Sequence, residues 1–204
     1  MAVREVQPDP GTGRAAARES RDPRDATRRR IVDVAVALIA DHGFAATTTR
    51  EIAEHLGFTK AALYYHFRTK DDLLAAIMEP AVDDLSVLVA SGEPHLDGAA
   101  RRRIVEGYID VVLDHRDLIR VLFNDPSVRH GAVRTLAEPL YHRLIQLLAG
   151  TTAPDTAQRT RVRATLGAIN VALLRAADDD DPVVVRATTQ LAACGALGIA
   201  HVAT

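Results

Sequence analysis

A short segment of the chain carries side chains of the types that read the groove of a nucleic acid. On a helical wheel of about 100° per residue, Leu63 and Phe67 point to one side. Ala61, Ala62 and Tyr65 point to the other side, where small alanines permit close approach to base edges. A lysine at the entering end of such a helix can reach guanine acceptors. The candidate DNA-contacting residues of this segment are Lys60, Ala61, Ala62, Tyr64, Tyr65 and His66.

Groups suited to binding phosphate flank this segment. Thr48 and Glu51 have the spacing of a capping box, which predicts that a helix begins at Thr48. The free backbone N–H groups at a helix start favour anions, and neighbouring hydroxyl and guanidinium groups add hydrogen-bond donors. The residues predicted to bind phosphate in this way are Thr48, Thr49 and Arg50, together with Lys70 beyond the segment.

Two short helices joined at Gly57-Phe58-Thr59 match a helix-turn-helix. Gly57 can adopt the left-handed conformation that the tight turn requires, and Ala53 is small enough for the helices to cross closely. An ordinary helical hairpin with its tyrosines packed inside is the alternative. The apolar residues spaced to form a core with the preceding helix are Ile52, Leu56, Phe58, Leu63 and Phe67.

Helical periodicity continues along the chain, so the sequence predicts an all-α fold of about nine helices. Pro80 is expected to kink the fourth helix or divide it, either as a hinge or as a tolerated kink. The predicted helices are 25–41, 48–57, 59–67, one capped by Thr69, 97–115, 116–124, 127–149, 154–177 and 182–202.

Composition restricts the class of protein. The 204 residues are 48% hydrophobic and 25% charged, which is enough to bury a core. They contain no apolar run of the roughly 20 residues that a membrane span requires, and the N-terminus lacks the apolar region of a signal peptide. A single cysteine, Cys194, excludes a disulfide or a thiolate cluster within the chain. These features predict a soluble, cytoplasmic protein.

Charge is distributed unevenly. Residues 1–70 carry 12 Lys and Arg against 9 Asp and Glu, while residues 71–204 carry 13 against 18. A basic N-terminal third favours an anionic partner such as DNA. Residues 1–23 lack apolar periodicity and are predicted to form a disordered basic arm. Its arginines, which could contact phosphate or remain solvated, are Arg4, Arg14, Arg18 and Arg21.

An enzyme is the competing class, and the sequence does not support it. There is no nucleophile elbow, phosphate-binding loop, dinucleotide-binding glycine motif or zinc-protease motif. The histidines at 95, 115, 130 and 142 share no close spacing on one helix, so neither a metal site nor a cofactor is predicted. The run Asp178–Asp181 is interpreted as a solvated loop, with weak calcium binding as the alternative.

The C-terminal part of the chain is predicted to hold a ligand. Residues 79–204 contain three aromatic side chains among many Ala, Val, Leu and Ile, which favours a pocket for a small apolar effector. Polar groups within these apolar helices could orient that ligand or could be satisfied core residues. The candidate ligand-binding residues are Tyr108, Phe123, Tyr141, His142 and Asn170.

The last predicted helix, 182–202, is almost wholly apolar or small, and such a helix must be buried. At the end of a chain, the obvious burial is against a partner. Such an interface would be obligate in character.

Residues 27–78 resemble the N-terminal domain of the TetR family of transcriptional regulators. The resemblance rests on Gly43-Phe44, Thr47-Thr48-Thr49, Ile52-Ala53 and Leu56-Gly57, and above all on the run from Leu63 to Leu74. It implies that Lys60, Ala61, Ala62 and Tyr65 read bases and that Thr49, Tyr64, His66 and Lys70 contact phosphates.

The resemblance also implies an organisation and a mechanism. A helix-turn-helix DNA-binding domain would span 24–70, and an effector-binding and dimerisation domain would span 71–204. The protein would be a repressor that binds a palindromic operator as a homodimer and is released when a ligand tilts the fourth helix. The last two helices, 154–177 and 182–202, would form a four-helix interface between the two copies. An activator, or a regulator that responds to a protein partner, is the alternative.

Overall fold

The computed structural model describes residues 22–93, 97–123, 132–177 and 179–199. Within these ranges the regular secondary structure is helical, which confirms the predicted all-α fold. None of the helices found there is long and apolar enough to cross a membrane. The helices are α1 (Pro23–His42), α2 (Thr49–Leu56), α3 (Lys60–His66), α4 (Lys70–Ala90), α5 (Gly98–Asp114), α6 (Arg116–Phe123), α7 (Ala132–Ala149), α8 (Thr156–Leu174) and α9 (Pro182–Ala196).

Local sequence signals set the ends of α2 and α3. Thr48 Oγ1 accepts a hydrogen bond from the Glu51 backbone N–H at 3.1 Å, and the Glu51 carboxylate accepts one from the Thr48 N–H at 3.4 Å. Gly57 has a φ of 66°, in the left-handed region that ends α2. Thr59 then accepts from the Ala62 N–H at 3.1 Å and begins α3. The predicted capping box and turn are both confirmed.

The helix-turn-helix unit has its own hydrophobic core. Ile31 of α1, Ile52 of α2 and Leu63 of α3 are fully buried at its centre. The first two turns of α4 also belong to this core, because Leu73 and Ile77 are buried in the same cluster. The unit therefore extends beyond its third helix.

A second core joins the remaining helices. Arg101 of α5 links two helix ends across it, donating to the carbonyl oxygen of Leu148 at 2.9 Å and of Leu197 at 3.1 Å. The largest fully buried side chains of this core are Ile109, Leu144, Leu147, Leu148, Ile169 and Leu173.

Pro80 does not divide α4, which is continuous from Lys70 to Ala90. Of the two expected alternatives, a kink or a division, the division is therefore wrong. Proline removes one backbone N–H donor, but Ile77 before it and Ala81 after it are both buried. Packing on both sides holds the two halves in one helix.

The ends of α7 and α9 differ from the predicted spans. The chain leaves α9 at Ala196, six residues before the predicted end, because Gly198 turns it with a φ of 66°. Ile199 then donates to the Cys194 carbonyl oxygen at 2.9 Å. Residues 200–202, and residues 127–131 of the predicted seventh helix, lie outside the described ranges.

Candidate nucleic-acid interface and ligand cavity

Helix α3 presents its aromatic side chains to the surface. Tyr65 is 65% exposed and Tyr64 is 38% exposed, whereas Leu63 and Phe67 are buried. The alternative of a hairpin with tyrosines packed inside is therefore wrong. Lys60, Ala61 and Ala62 are exposed as well, and His66 is half-buried.

Cations lie over the aromatic rings of this surface. The Arg24 guanidinium is 4.8 Å from the centre of the Tyr65 ring, and the His66 ring meets the same tyrosine edge-on at 5.3 Å. Lys60 Nζ is 5.5 Å from the centre of the Tyr64 ring. Such contacts orient the rings and keep positive charge beside them. Sequence reasoning missed Arg24 because no local pattern brings the start of α1 to the end of α3.

The start of α2 adjoins α3 and adds hydroxyl groups. Thr49 Oγ1 is 3.4 Å from Tyr64 Oη, so these two candidate phosphate contacts lie side by side. Arg50 is exposed, and its Nε donates to Glu54 Oε1 at 2.8 Å. The hydrogen bond and charge of Glu54 raise the pKa of Arg50. The Thr48 hydroxyl already caps α2.

Lys70 faces the protein in this structure. Its Nζ donates to the carbonyl oxygens of Phe44 and Ala45 and lies 4.1 Å from the centre of the Phe44 ring. These contacts hold the connection between α1 and α2 against the start of α4. Phosphate binding by Lys70 stays a prediction.

A cavity of about 110 Å³ lies among α4, α5, α6, α7 and α8. Its wall is mainly hydrocarbon and includes Met78, Leu85 and Ile119. Tyr108, Tyr141 and Asn170, which come from three different helices, also line it.

The three polar residues form one hydrogen-bonded chain. The Tyr108 hydroxyl donates to Asn170 Oδ1 at 3.0 Å and lies 3.0 Å from the Tyr141 hydroxyl. The structure thus brings three of the five candidate ligand residues together. His142 does not line the cavity; it is exposed, with its Nε2 3.5 Å from Gln146 Nε2. The side chain of Phe123 lies outside the described part of the structure.

Burial raises the pKa of the Tyr108 hydroxyl well above its usual 10.0, and the neighbouring Tyr141 raises it further. Below pH 10 both folded and unfolded chains keep this proton. Above pH 10 the unfolded chain loses it first, so the contribution to stability is lost as the pH rises toward the folded pKa.

We therefore expect Tyr108→Phe to reduce the loss of stability at alkaline pH. One such group adds a slope of up to about 1.4 kcal/mol per pH unit to the free energy of unfolding. Urea titrations of the original protein and the variant between pH 9 and pH 11 measure this slope. Equal slopes in the two proteins would contradict the assignment.

Helix α6 contacts both cores. Leu118 packs against the helix-turn-helix core, and the next residue, Ile119, lines the cavity. Met78 of α4 does both, because it packs against the helix-turn-helix core and also lines the cavity. Helices α4 and α6 therefore connect the cavity wall with the helix-turn-helix core.

Helices α8 and α9 leave apolar side chains exposed. Val171 is 47% exposed, Val184 is 58% exposed and Leu191 is 52% exposed. The groove between the two helices is lined mainly by small residues, which permit another helix to approach closely. The opposite side of α9 is buried in the chain's own core through Ala193 and Cys194.

No group of three or more His, Cys, Asp or Glu side chains in the described ranges could hold a metal ion. His115 Nε2 instead pairs with Asp84 Oδ2 at 2.8 Å. His95, His130 and Asp178 lie outside those ranges.

Comparisons with known proteins agree with the geometry of α2 and α3. Residues 31–77 match the family described as bacterial regulatory proteins, tetR family. The HTH-type transcriptional regulator AcrR of Shigella flexneri is 28% identical over 65% of this chain and 67% of its own length. The HTH-type transcriptional repressor SCO4008 of Streptomyces coelicolor is 33% identical over 51% of each chain. The chain thus spans about half to two thirds of the length of these relatives.

Solved structures share the fold. A TetR-like transcriptional regulator from Rhodococcus sp. RHA1 has a TM-score of 0.62 and 24% identity, over 86% of this chain and 97% of that one. A transcriptional regulator from Aquifex aeolicus has the same TM-score at 16% identity, over 81% and 96% of the two chains. At these identities the likeness establishes the fold alone.

Proposed function

Because the chain is a member of the TetR family of transcriptional regulators, we propose that it is a repressor released from DNA by a ligand. It would bind a palindromic operator as a homodimer, with helix α3 of each subunit in successive major grooves. The observation that carries this proposal is the exposed surface of α3, where aromatic, small and cationic side chains stand on a buried core. Its operator would place it in the cytoplasm.

The arrangement of side chains supports a division of roles on that surface. Lys60, Ala61, Ala62 and Tyr65 face outward along α3 and would contact base edges. Thr49, Tyr64 and His66 lie beside them and would position the helix by contacting phosphates, as Arg50 would at the start of α2. Arg24, stacked on Tyr65, adds a cation that would reach the same backbone.

The exposed apolar face of α8 and α9 supports the homodimer. Val171, Val184 and Leu191 would be buried against the same helices of a second copy, forming a four-helix interface. Because the opposite face of α9 is part of the chain's own core, the interface would lie directly against that core.

Release would follow from binding at the cavity. A ligand shifts an equilibrium only by binding one state more tightly than the other. Met78 and Ile119 line the cavity on helices that also contact the helix-turn-helix core, so a filled cavity would favour a different tilt of α4 and α6. The spacing of the two reading helices in the dimer would then no longer match the operator. The domain division at residue 70 stays a prediction, and the buried Leu73 and Ile77 favour placing the boundary further along α4.

Selection of genomic DNA fragments by the purified protein tests the proposed function. We expect enrichment of one short palindrome at physiological salt. In Lys60→Ala we expect relaxed preference at one base position of each half-site, costing roughly 1–3 kcal/mol there if Lys60 reads a guanine.

Arg103→Ala is the matched control, because it removes an exposed cation from α5 in the body of the protein. It should leave the selected sequence unchanged. Enrichment of no common sequence would contradict specific regulation, and an unchanged preference in Lys60→Ala would contradict base reading by this residue.

A further inference from the structure

The protons of the three-residue chain in the cavity restrict what can bind there. The Tyr108 hydroxyl uses its single proton to donate to Asn170 Oδ1. The 3.0 Å contact between the two tyrosines therefore requires the Tyr141 hydroxyl to donate to the Tyr108 oxygen. A ligand then meets an acceptor at Tyr141 Oη. It meets two N–H donors at Asn170 Nδ2, because the described residues offer this nitrogen no hydrogen-bond partner.

A hydroxyl group can satisfy both of these partners at once. It donates its proton to Tyr141 Oη and accepts a hydrogen bond from the Asn170 amide. A carbonyl oxygen can use the amide alone. A purely hydrocarbon ligand leaves the amide of Asn170, a residue only 7% exposed, without a partner.

Charge is unfavourable in this cavity. Among the described residues that line it, none carries a formal charge. A carboxylate or an ammonium group would lose its water there without gaining a counter-ion. The raised pKa of Tyr108 keeps that phenol neutral, so it supplies no negative charge to a cation.

The volume sets the size of the ligand. A space of about 110 Å³ is somewhat smaller than the apolar cavity of about 150 Å³ that accommodates benzene. A ligand with a single ring would therefore fill this space, and its substituent would have to extend toward Tyr141, which is 36% exposed.

We propose that this cavity binds a small, uncharged, mainly hydrocarbon alcohol of at most about seven non-hydrogen atoms, its hydroxyl held between Tyr141 and Asn170. The inference rests on the proposed function in treating the cavity as the effector site. It deepens that function by naming the class of ligand.

Calorimetric titration with three probes of matched size tests the inference: cyclohexanol, methylcyclohexane and cyclohexylammonium. Tyr141→Phe removes the accepting oxygen and keeps the ring. We expect this variant to bind cyclohexanol about 3- to 10-fold more weakly than the original protein does and to bind methylcyclohexane equally well. Cyclohexylammonium should bind at least about 100-fold more weakly than cyclohexanol.

A cavity-filling variant locates the bound probe. Ala137→Leu places a larger side chain in the cavity wall and should abolish binding of cyclohexanol. Binding that persists in Ala137→Leu would overturn the inference. So would equal losses of cyclohexanol and methylcyclohexane in Tyr141→Phe, tight binding of cyclohexylammonium, or binding of no probe.

Release of the selected operator is measured separately, by fluorescence anisotropy with the same probes. Cyclohexanol binding that depends on Tyr141 supports the inference whether or not DNA is released. Binding without release would overturn ligand-driven release and leave the inferred ligand class intact. Release by a ligand that does not compete with cyclohexanol would overturn the effector role of this cavity.

Discussion

Ala62→Glu is expected to reduce affinity for the selected operator at least about 100-fold, because placing like charges together across an interface costs several kcal/mol. Ala62 is exposed on the outward face of α3, where its side chain would meet the DNA. Its backbone N–H already bonds to Thr59 Oγ1, so the new carboxylate completes a capping box and supports the helix. Fluorescence anisotropy measures the affinity, and thermal unfolding shows that the fold is kept.

Ala99→Glu is the matched control for this variant. Ala99 is exposed in the first turn of α5, in the body of the protein, and the same charge change there should leave DNA binding unaltered. If the two variants bind the operator equally well, α3 is not the reading helix.

Leu191→Arg is expected to separate the dimer and to weaken operator binding by about 10²- to 10⁴-fold. When the helix-turn-helix unit of one subunit is bound, the unit of the other subunit is held at a high effective concentration near the operator. Linking two binding units in this way raises affinity by a factor of this size. Leu191 is 52% exposed on α9, so a charge there would be buried only in the dimer. Sedimentation equilibrium gives the oligomeric state, and anisotropy gives the affinity.

Val87→Arg is the control, because Val87 is 71% exposed on α4 and lies outside the proposed interface. It should remain dimeric and bind DNA normally. A Leu191→Arg protein that stays dimeric would refute this interface. Deleting residues 183–204 would be a poor test, since it also removes Ala193 and Cys194 from the chain's own core.

Features that depend on neighbouring residues could be predicted from the sequence. Thr48 with Glu51 determines the start of α2, and Gly57 determines its end, through contacts a few residues apart. The outward face of α3 also followed from helical periodicity, because Leu63 and Phe67 leave only one side for the tyrosines. The end of α9 could not be predicted in this way, since its apolar pattern continues past Gly198 and only the backbone turn interrupts it.

Contacts between distant parts of the chain were beyond sequence reasoning. Tyr108 and Asn170 are 62 positions apart and belong to two helices, and their meeting depends on how those helices cross. The charge of Lys70 and the family resemblance both predict a phosphate contact, whereas in the structure its ammonium group bonds to the carbonyl oxygens of Phe44 and Ala45. The residue types indicated which side chains could form polar contacts, but the partner of each side chain depended on how the helices pack.

The helix-turn-helix unit of this chain does not end with α3. Leu73, Leu74 and Ile77 of α4 are part of its hydrophobic core. A chimera joined to another protein at residue 70 would therefore lose these three core side chains. A chimera with another effector domain would preserve the helix-turn-helix unit only if the junction fell after Ile77. Pro80 is the natural position, because the helix there already lacks one backbone N–H donor. The boundary of the transferable unit is thus set by core packing and lies inside a continuous helix. No loop between the two parts of the chain marks this boundary.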